Sequence, residues 1–439
     1  MIAGLAARAG TLERRSGLLA IAKLSNVALA MLWGFVVTFV FVRLLPMDEF
    51  RAFLLLVAFA NFTVSAELGI SAIAYSRLRR DRVAGEGNFR AEEIVALLWL
   101  LGGIILLGAL VIGAAIATGL LKTNYPGLFI AFYGVAAINL LTLLARRTLA
   151  ALDHNLWWEA LDFIRRLSGI ALLLAALIGL PLMASVLLQL GLAVAIFWIG
   201  LATVQTSLGM STAQWLRARA GAAHIRAHYL ADFGHTGVLT LCDVAAYNAP
   251  YFTIAAATPD PRPLLFFDFA FKLSRALSAI IRALAETVLP GLTRAAFNGD
   301  GLTVRKAIRR CMVWALGATS AAATAVLLLG SWAANIIFDG NLILQATEIN
   351  MVAGLLFGLC LICVSVYLQW GLGRFAALVR PSMLLLAGSL LSVPLALFAA
   401  QTLGWSLSLA FITIYAGVHL VLGLLHERLL ANLVRGRGE

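Results

Sequence analysis

The chain has 439 residues, of which 62% are hydrophobic and 12% charged, and its mean hydropathy is +0.95. Soluble domains are about half apolar and one quarter charged, so this composition excludes a soluble globular protein and predicts an all-α polytopic membrane protein. The net charge of +12 does not indicate nucleic-acid binding, because Lys and Arg collect on the cytoplasmic loops of membrane proteins. We therefore expect no nucleic-acid partner.

Long apolar segments alternate with short polar breaks along the whole chain. Each is long enough for the roughly 20 residues that a spanning helix needs. They predict twelve transmembrane helices, at 17–45, 49–76, 92–120, 126–152, 157–179, 182–208, 228–258, 264–290, 304–338, 345–371, 378–402 and 405–430. The predicted domains are an N-lobe at 1–208, a cytoplasmic linker at 209–227 and a C-lobe at 228–439.

Most of the 33 Lys and Arg residues fall into alternate breaks. Because positive charge stays on the cytoplasmic side, this pattern predicts that both termini are cytoplasmic. The longest breaks, 77–90 and 209–226, then also lie inside. The outside loops are too short to carry the acid, base or metal ligands of a membrane glycan polymerase or ligase, so we expect a transporter rather than an enzyme.

No motif in the sequence indicates a metal, a cofactor or an ATPase. Of the four cysteines, Cys360 and Cys363 form a C-x-x-C pair, but it lies in an apolar segment with no neighbouring His or second pair. The cysteines are expected to be packing residues. We expect no catalytic, cofactor-binding or metal-binding residues.

One apolar segment, 263–290, carries five charged residues: Asp268, Lys272, Arg275, Arg282 and Glu286. On a helix their spacing places all five within a stripe about 80° wide. Charges inside a membrane helix either extend to the headgroups or face a bundle interior or a water-filled cavity. Lys272 and Arg275 lie more than two turns inside the segment, so we expect this stripe to form a charged cavity wall.

Three other segments carry isolated candidates. Asp243, near the middle of 228–258, is the carboxylate best placed to pair with the basic stripe or to take up a cation. Arg146 in 126–152 and Lys23 in the first segment are further cavity candidates. Both could equally extend towards the cytoplasmic interface.

The stretch 43–80 resembles the signature between the first two helices of Wzx-type polysaccharide flippases. There an R-x-L-x-x-x-E-[FY] turn precedes a helix that ends in (E/D)-L-G-[IL]. The matching positions are Arg43, Leu45, Glu49, Phe50, Glu67, Leu68, Gly69 and Ile70. Asp243, the sequence PRPLLFFDFAFKLSRAL and the Leu289-Pro290 turn look like the seventh and eighth helices of that family. The chain departs from the pattern at Arg51, where a Gly commonly follows the turn.

The resemblance implies the fold of the multidrug/oligosaccharidyl-lipid/polysaccharide (MOP) exporters, with two six-helix lobes around a central cavity. It also implies alternating access in the bacterial inner membrane. The implied substrate is an undecaprenyl-diphosphate-linked oligosaccharide, moved from the cytoplasmic to the periplasmic leaflet. Membrane lipids and other glycan-assembly proteins would be its further partners.

Charge on the stripe fits such a substrate, since Arg binds phosphate oxygens bidentately and Lys binds them as a point charge. Another MOP-type transporter, a lipid II flippase or a drug/cation antiporter, remains the main alternative; a membrane sugar polymerase or ligase is a weaker one. Coupling to H⁺ or Na⁺ is left open, because single carboxylates do not decide between them.

Overall fold

The computed structural model describes residues 16–84, 89–298 and 300–434, and all regular secondary structure in these ranges is helical. The helices are α1 (Ser16–Leu44), α2 (Met47–Ser65), α3 (Ile70–Ala84), α4 (Ala91–Ala117), α5 (Pro126–Ala151), α6 (Asn155–Leu177), α7 (Leu182–Leu208), α8 (Thr212–Trp215), α9 (Ala218–Ala257), α10 (Arg262–Phe297), α11 (Gly301–Ile337), α12 (Ala346–Gly371), α13 (Phe375–Leu403) and α14 (Leu407–Val434).

Every one of the twelve predicted segments contains a helix, so the predicted all-helical membrane class is confirmed. By length and composition alone, eight described helices could cross a membrane: α1, α4, α5, α7 and α11 to α14. The long helices α6 and α10 each carry several charged side chains. The cytoplasmic placement of the termini stays a prediction.

The chain divides into two compact units, Met1–Leu241 (unit 1) and Cys242–Glu439 (unit 2). In unit 1, α5 is the central helix and packs against α2, α3, α4 and α7, while α6 packs against α1 and α7. The core includes the fully buried Trp158 and Leu149 and an aromatic cluster in which Phe53 contacts Phe41 and Phe132.

Unit 2 repeats this packing scheme with α10 to α14. Here α12 is central and packs against α10, α11 and α14, and α13 packs against α14. The helices α12 and α14 approach closely at Gly358, where an added Cβ would lie 2.6 Å from the His419 carbonyl carbon. Close helix approach at small residues is a common way of joining membrane helices. The equivalence places α2–α3 of unit 1 in the role of α10 in unit 2.

The structure differs from the predicted segments in two places. The segment predicted as one helix at 49–76 is broken between α2 and α3, because Leu68 and Gly69 have positive φ angles of 50° and 83°. The region predicted as a linker at 209–227 is largely helical, since α8 lies within it and α9 begins at Ala218.

Candidate functional site

The candidate site is built on α10, whose two sides have different surroundings. Its buried side chains include Leu277, Ile281, Ala285, Val288 and Leu292, and their spacings of four and three residues place them on one face of the helix. The charged stripe lies on another face. Within that stripe the side chains of Arg275, Arg282 and Glu286 are exposed, whereas that of Asp268 is buried.

The buried end of the stripe is a three-residue polar cluster. The Tyr251 hydroxyl donates a 2.7 Å hydrogen bond to Oδ1 of Asp268, and the Lys272 ammonium forms an ion pair with Oδ2 of the same carboxylate. Asp268 is 1% exposed and the Lys272 side chain 15%. Asp268 therefore neutralises Lys272 and fixes its position. The four-residue spacing places Asp268 and Lys272 on one face of α10, whereas Tyr251 is brought in from α9 by tertiary packing.

The remaining charges of the stripe are more open. Arg282 Nε lies 3.2 Å from Oε1 of Glu286, and both side chains are more than half exposed. The guanidinium of Arg275 lies over the Phe271 ring, 5.8 Å from its centroid. Among the described residues Arg275 is in no ion pair. Of the three cations in the stripe, two are paired and Arg275 supplies its net positive charge.

Polar side chains of α9 and α12 lie beside this helix in unit 2. Ser278 on α10 is 2.8 Å from the Tyr367 hydroxyl. Asp243 is partly buried beside Ser382, and Tyr247 lies within electrostatic reach of it and of Tyr367. Asp243 forms no ion pair within the described residues. Its predicted pairing with the basic stripe is therefore not observed there. The sequence indicated Asp243 of this cluster, but its neighbours Tyr247, Tyr367 and Ser382 are brought together by tertiary packing.

Two candidates lie in unit 1. Arg146 forms an ion pair of 2.9 Å with Glu159, and the buried Asn26 amide donates to the same carboxylate at 2.6 Å. This network joins α1, α5 and α6. Lys23 is exposed on α1. Arg146 is held by a structural network while remaining 43% exposed, and Lys23 stays a prediction.

The residues of the sequence motif hold backbone in place. Glu49 accepts hydrogen bonds of 2.6 Å from the Thr123 hydroxyl and the Asn124 amide, which attaches α2 to the segment before α5. Glu67 accepts from the Ser71 amide at 3.1 Å and caps α3, next to the positive-φ Gly69. Arg43 donates to the Phe39 carbonyl at 2.8 Å.

In the part of the chain that the structure describes, no group of three or more His, Cys, Asp or Glu residues could hold a metal ion. No family model matches the sequence, and no curated protein does either.

Solved structures do match, and all those compared below are transporters of one fold. An inward-facing multidrug resistance MATE family transporter of the MOP superfamily matches with a TM-score of 0.65 and 13% identity, over 94% of this chain and 98% of that one. The eukaryotic MATE transporter AtDTX14 matches with a TM-score of 0.62 and 14% identity, over 97% and 98%. A mutant of the Vibrio cholerae MATE transporter VcmN matches with a TM-score of 0.61 and 14% identity, over 98% of both chains.

These likenesses extend over nearly the whole of both chains in each pair. The protein therefore has the fold of the MATE transporters of the MOP superfamily. At 13 to 14% identity the likeness shows the fold alone.

Proposed function

We propose that this protein is a membrane transporter that works by alternating access, and that its substrate contacts the charged stripe of α10. This proposal depends on the position of Arg275. Its side chain is exposed, and it lies roughly 20 Å along α10 from Arg262. A guanidinium facing hydrocarbon at that depth is costly. This face of α10 is therefore expected to border water or a polar ligand, and the fold is one used by transporters.

We propose that the substrate is anionic, an undecaprenyl-diphosphate-linked oligosaccharide moved from the cytoplasmic to the periplasmic leaflet of a bacterial inner membrane. Arg275 carries the net charge of the stripe, and its planar fork matches two phosphate oxygens. The paired Lys272 offers its remaining donors beside it. Pairing with Asp268 and Glu286 keeps the stripe from holding an anion so tightly that release is blocked.

A second candidate is a drug or cation antiporter. The comparisons support it more directly than the first, because the named structural neighbours include multidrug transporters. In the structure it is favoured by Asp243, a partly buried carboxylate close to the tyrosines of unit 2. Carboxylates and aromatic faces are the groups that bind organic cations.

Complementation distinguishes the two candidates. The full chain is expressed in a strain that lacks its O-antigen flippase, and surface glycan is read on gels beside an ethidium efflux assay. For the first candidate we expect restored glycan, and a loss of about 10- to 100-fold in Arg275→Gln, the value of one charge-assisted hydrogen bond. Arg294→Gln, an exposed cation in the last turn of the same helix, is the matched control.

Each outcome assigns the substrate. Glycan restored by the wild type and by Arg275→Gln alike would overturn the role of the stripe. Efflux without glycan, abolished in Asp243→Asn, would overturn the first candidate in favour of the second. We propose that Asp243 takes up the coupling H⁺ or Na⁺ in either case, so Asp243→Asn is expected to abolish transport that is driven by the ion gradient.

A further inference from the structure

A cavity of about 370 Å³ lies between the last turns of α10 and the first turns of α11. Its walls combine two cations, two hydroxyls and an indole: Lys306, Arg310, Thr287, Thr303 and Trp314. On α10 the residues facing it, Thr287, Val288 and Gly291, are about 120° to 180° around the helix from Arg282. It is therefore separate from the charged stripe.

The exposed side chains of α11 show at what depth this cavity lies. A band of exposed apolar residues runs from Val313 to Trp332, and it includes Leu316 and Leu328. Its tryptophans, Trp314 and Trp332, are roughly 27 Å apart along the axis, close to the thickness of the hydrocarbon core. Since Trp collects at the two membrane interfaces, Trp314 marks one boundary of the hydrocarbon.

The two cations of the cavity lie just beyond that boundary. Arg310 and Lys306 precede Trp314 by about 6 and 12 Å along the helix, which is the level of the lipid headgroups. The Arg310 guanidinium stacks on the Trp314 ring at 4.3 Å, and this contact keeps it at the rim of the apolar band. The positive-inside pattern predicts that this end of α11 is cytoplasmic.

The charges of the cavity are not neutralised by ion pairs within the described residues. Neither Lys306 nor Arg310 is in one. The nearest acidic group is Asp300, which accepts a hydrogen bond of 3.0 Å from the Thr303 amide as the N-cap of α11 and also acts electrostatically on Lys306. Because Asp300 is committed to the cap, the cavity keeps a net positive charge. Its two hydroxyls are already engaged, since Thr287 donates to the Leu284 carbonyl at 2.7 Å and the Thr303 side chain hydrogen-bonds Asp300.

We propose that this cavity binds the phosphate headgroup of an anionic phospholipid of the cytoplasmic leaflet. Lys306 and Arg310 would contact the phosphate, and the acyl chains would lie along the exposed apolar band of α11. A basic cavity between helices, at headgroup depth and beside exposed hydrocarbon, is the arrangement that anionic lipids occupy. The proposal does not depend on the transported substrate.

Lipid binding is measured by native mass spectrometry on the detergent-purified full chain with added phosphatidylglycerol or phosphatidylcholine. We expect phosphatidylglycerol to bind in preference, and its affinity to fall roughly 30-fold in Lys306→Gln/Arg310→Gln, about 5-fold for each charge removed. The control is Arg305→Gln/Arg309→Gln, which removes the same charge from exposed positions of α11 outside the cavity. It should bind as the wild type does.

A steric variant tests the cavity without changing charge. Gly291 lines the cavity, and an added Cβ there would meet nothing within 4 Å, so Gly291→Leu should block the site and leave the fold intact. Equal losses in the two double variants, or full binding by Gly291→Leu, would overturn the proposal. Displacement of phosphatidylglycerol by millimolar inorganic phosphate would instead assign a site for free anions and overturn the lipid assignment.

Discussion

The helices α2–α3 of unit 1 and α10 of unit 2 have equivalent places in the packing of their units but use their charged residues differently. Both are attached at their start by a buried carboxylate. In unit 1, Glu49 accepts from Thr123 and Asn124. In unit 2, Arg262 forms two hydrogen bonds, of 2.9 and 2.8 Å, with the fully buried Glu348 of α12.

Beyond this attachment the two regions diverge. In unit 1 the helix breaks at Leu68 and Gly69, and Glu67 caps the helix that follows. In unit 2 the helix runs without a break from Arg262 to Phe297, and beyond the buried pair of Asp268 and Lys272 its stripe is exposed. The motif glutamates of unit 1, Glu49 and Glu67, therefore stabilise the backbone conformation around α2 and α3. The open end of the stripe in unit 2, Arg275, Arg282 and Glu286, holds charge that the packing of that unit does not require, and such charge is available to a ligand.

The largest effect is expected where a buried charge of the stripe loses its partner. In Asp268→Asn the amide oxygen still accepts from Tyr251, but Lys272 keeps its charge without a counter-charge. Breaking a buried pair from one side costs about 3 to 5 kcal/mol, so thermal unfolding in detergent should shift strongly downwards.

The control for this variant is Glu286→Gln, which breaks an exposed pair of the same i,i+4 geometry. Its expected cost is less than about 1 kcal/mol. Equal shifts in both variants would contradict the division of the stripe into a buried structural end and an open end.

The helix attachments offer a second test. Arg262→Ala leaves the carboxylate of Glu348 buried without its cation, and we expect a loss of about 2 to 4 kcal/mol in the free energy of unfolding. The equivalent change in unit 1, Thr123→Val, removes one neutral donor to Glu49 and should cost about 1 kcal/mol. Denaturant unfolding of both variants gives the comparison, and a larger loss in Thr123→Val would show that the two attachments are not equivalent.

Much of this architecture could be predicted from the sequence, because hydropathy and charge bias are summed over long segments. The twelve apolar segments follow from hydropathy, and the charged stripe of α10 follows from residue spacing. The break after Ser65 could not be predicted in this way, because a single glycine between apolar residues leaves the hydropathy unchanged. The early start of α9 was missed because basic residues at 217–226 resemble a polar linker, although Ala and Arg favour a helix. Partners from other helices, such as Tyr251, depend on packing that no spacing encodes.

The break between α2 and α3 can be tested at Gly69. Its φ of 83° is costly for any residue with a Cβ, so Gly69→Ala should lower the free energy of unfolding by about 1 to 2 kcal/mol. Asn tolerates this conformation better than Ala, so Gly69→Asn should recover part of the loss. If Ala were as well tolerated as Asn, the left-handed turn would not be what separates the two helices.

The smallest expected effect concerns Asp300, the exposed N-cap of α11 at the edge of the basic cavity. Hydrogen bonds from the side chain and then the backbone of Thr303 hold the pKa of this carboxyl below its ordinary value. Its folded-state pKa is therefore lower than its unfolded one. The cap contributes fully above the unfolded pKa of about 3.9, and the contribution is lost as the pH falls through the folded value.

Hydrogen exchange of the first turn of α11 measures this cap locally, without unfolding the whole chain. Between pH 7 and pH 3, and after correction for intrinsic exchange rates, the wild type should lose a small part of its protection. Asp300→Asn, which caps without titrating, should keep its protection constant. Because the carboxyl is solvent-exposed, the change should stay within the first turn and leave α10 unaffected. An equal pH response in wild type and Asp300→Asn would mean that another group, and not this cap, controls the start of the helix.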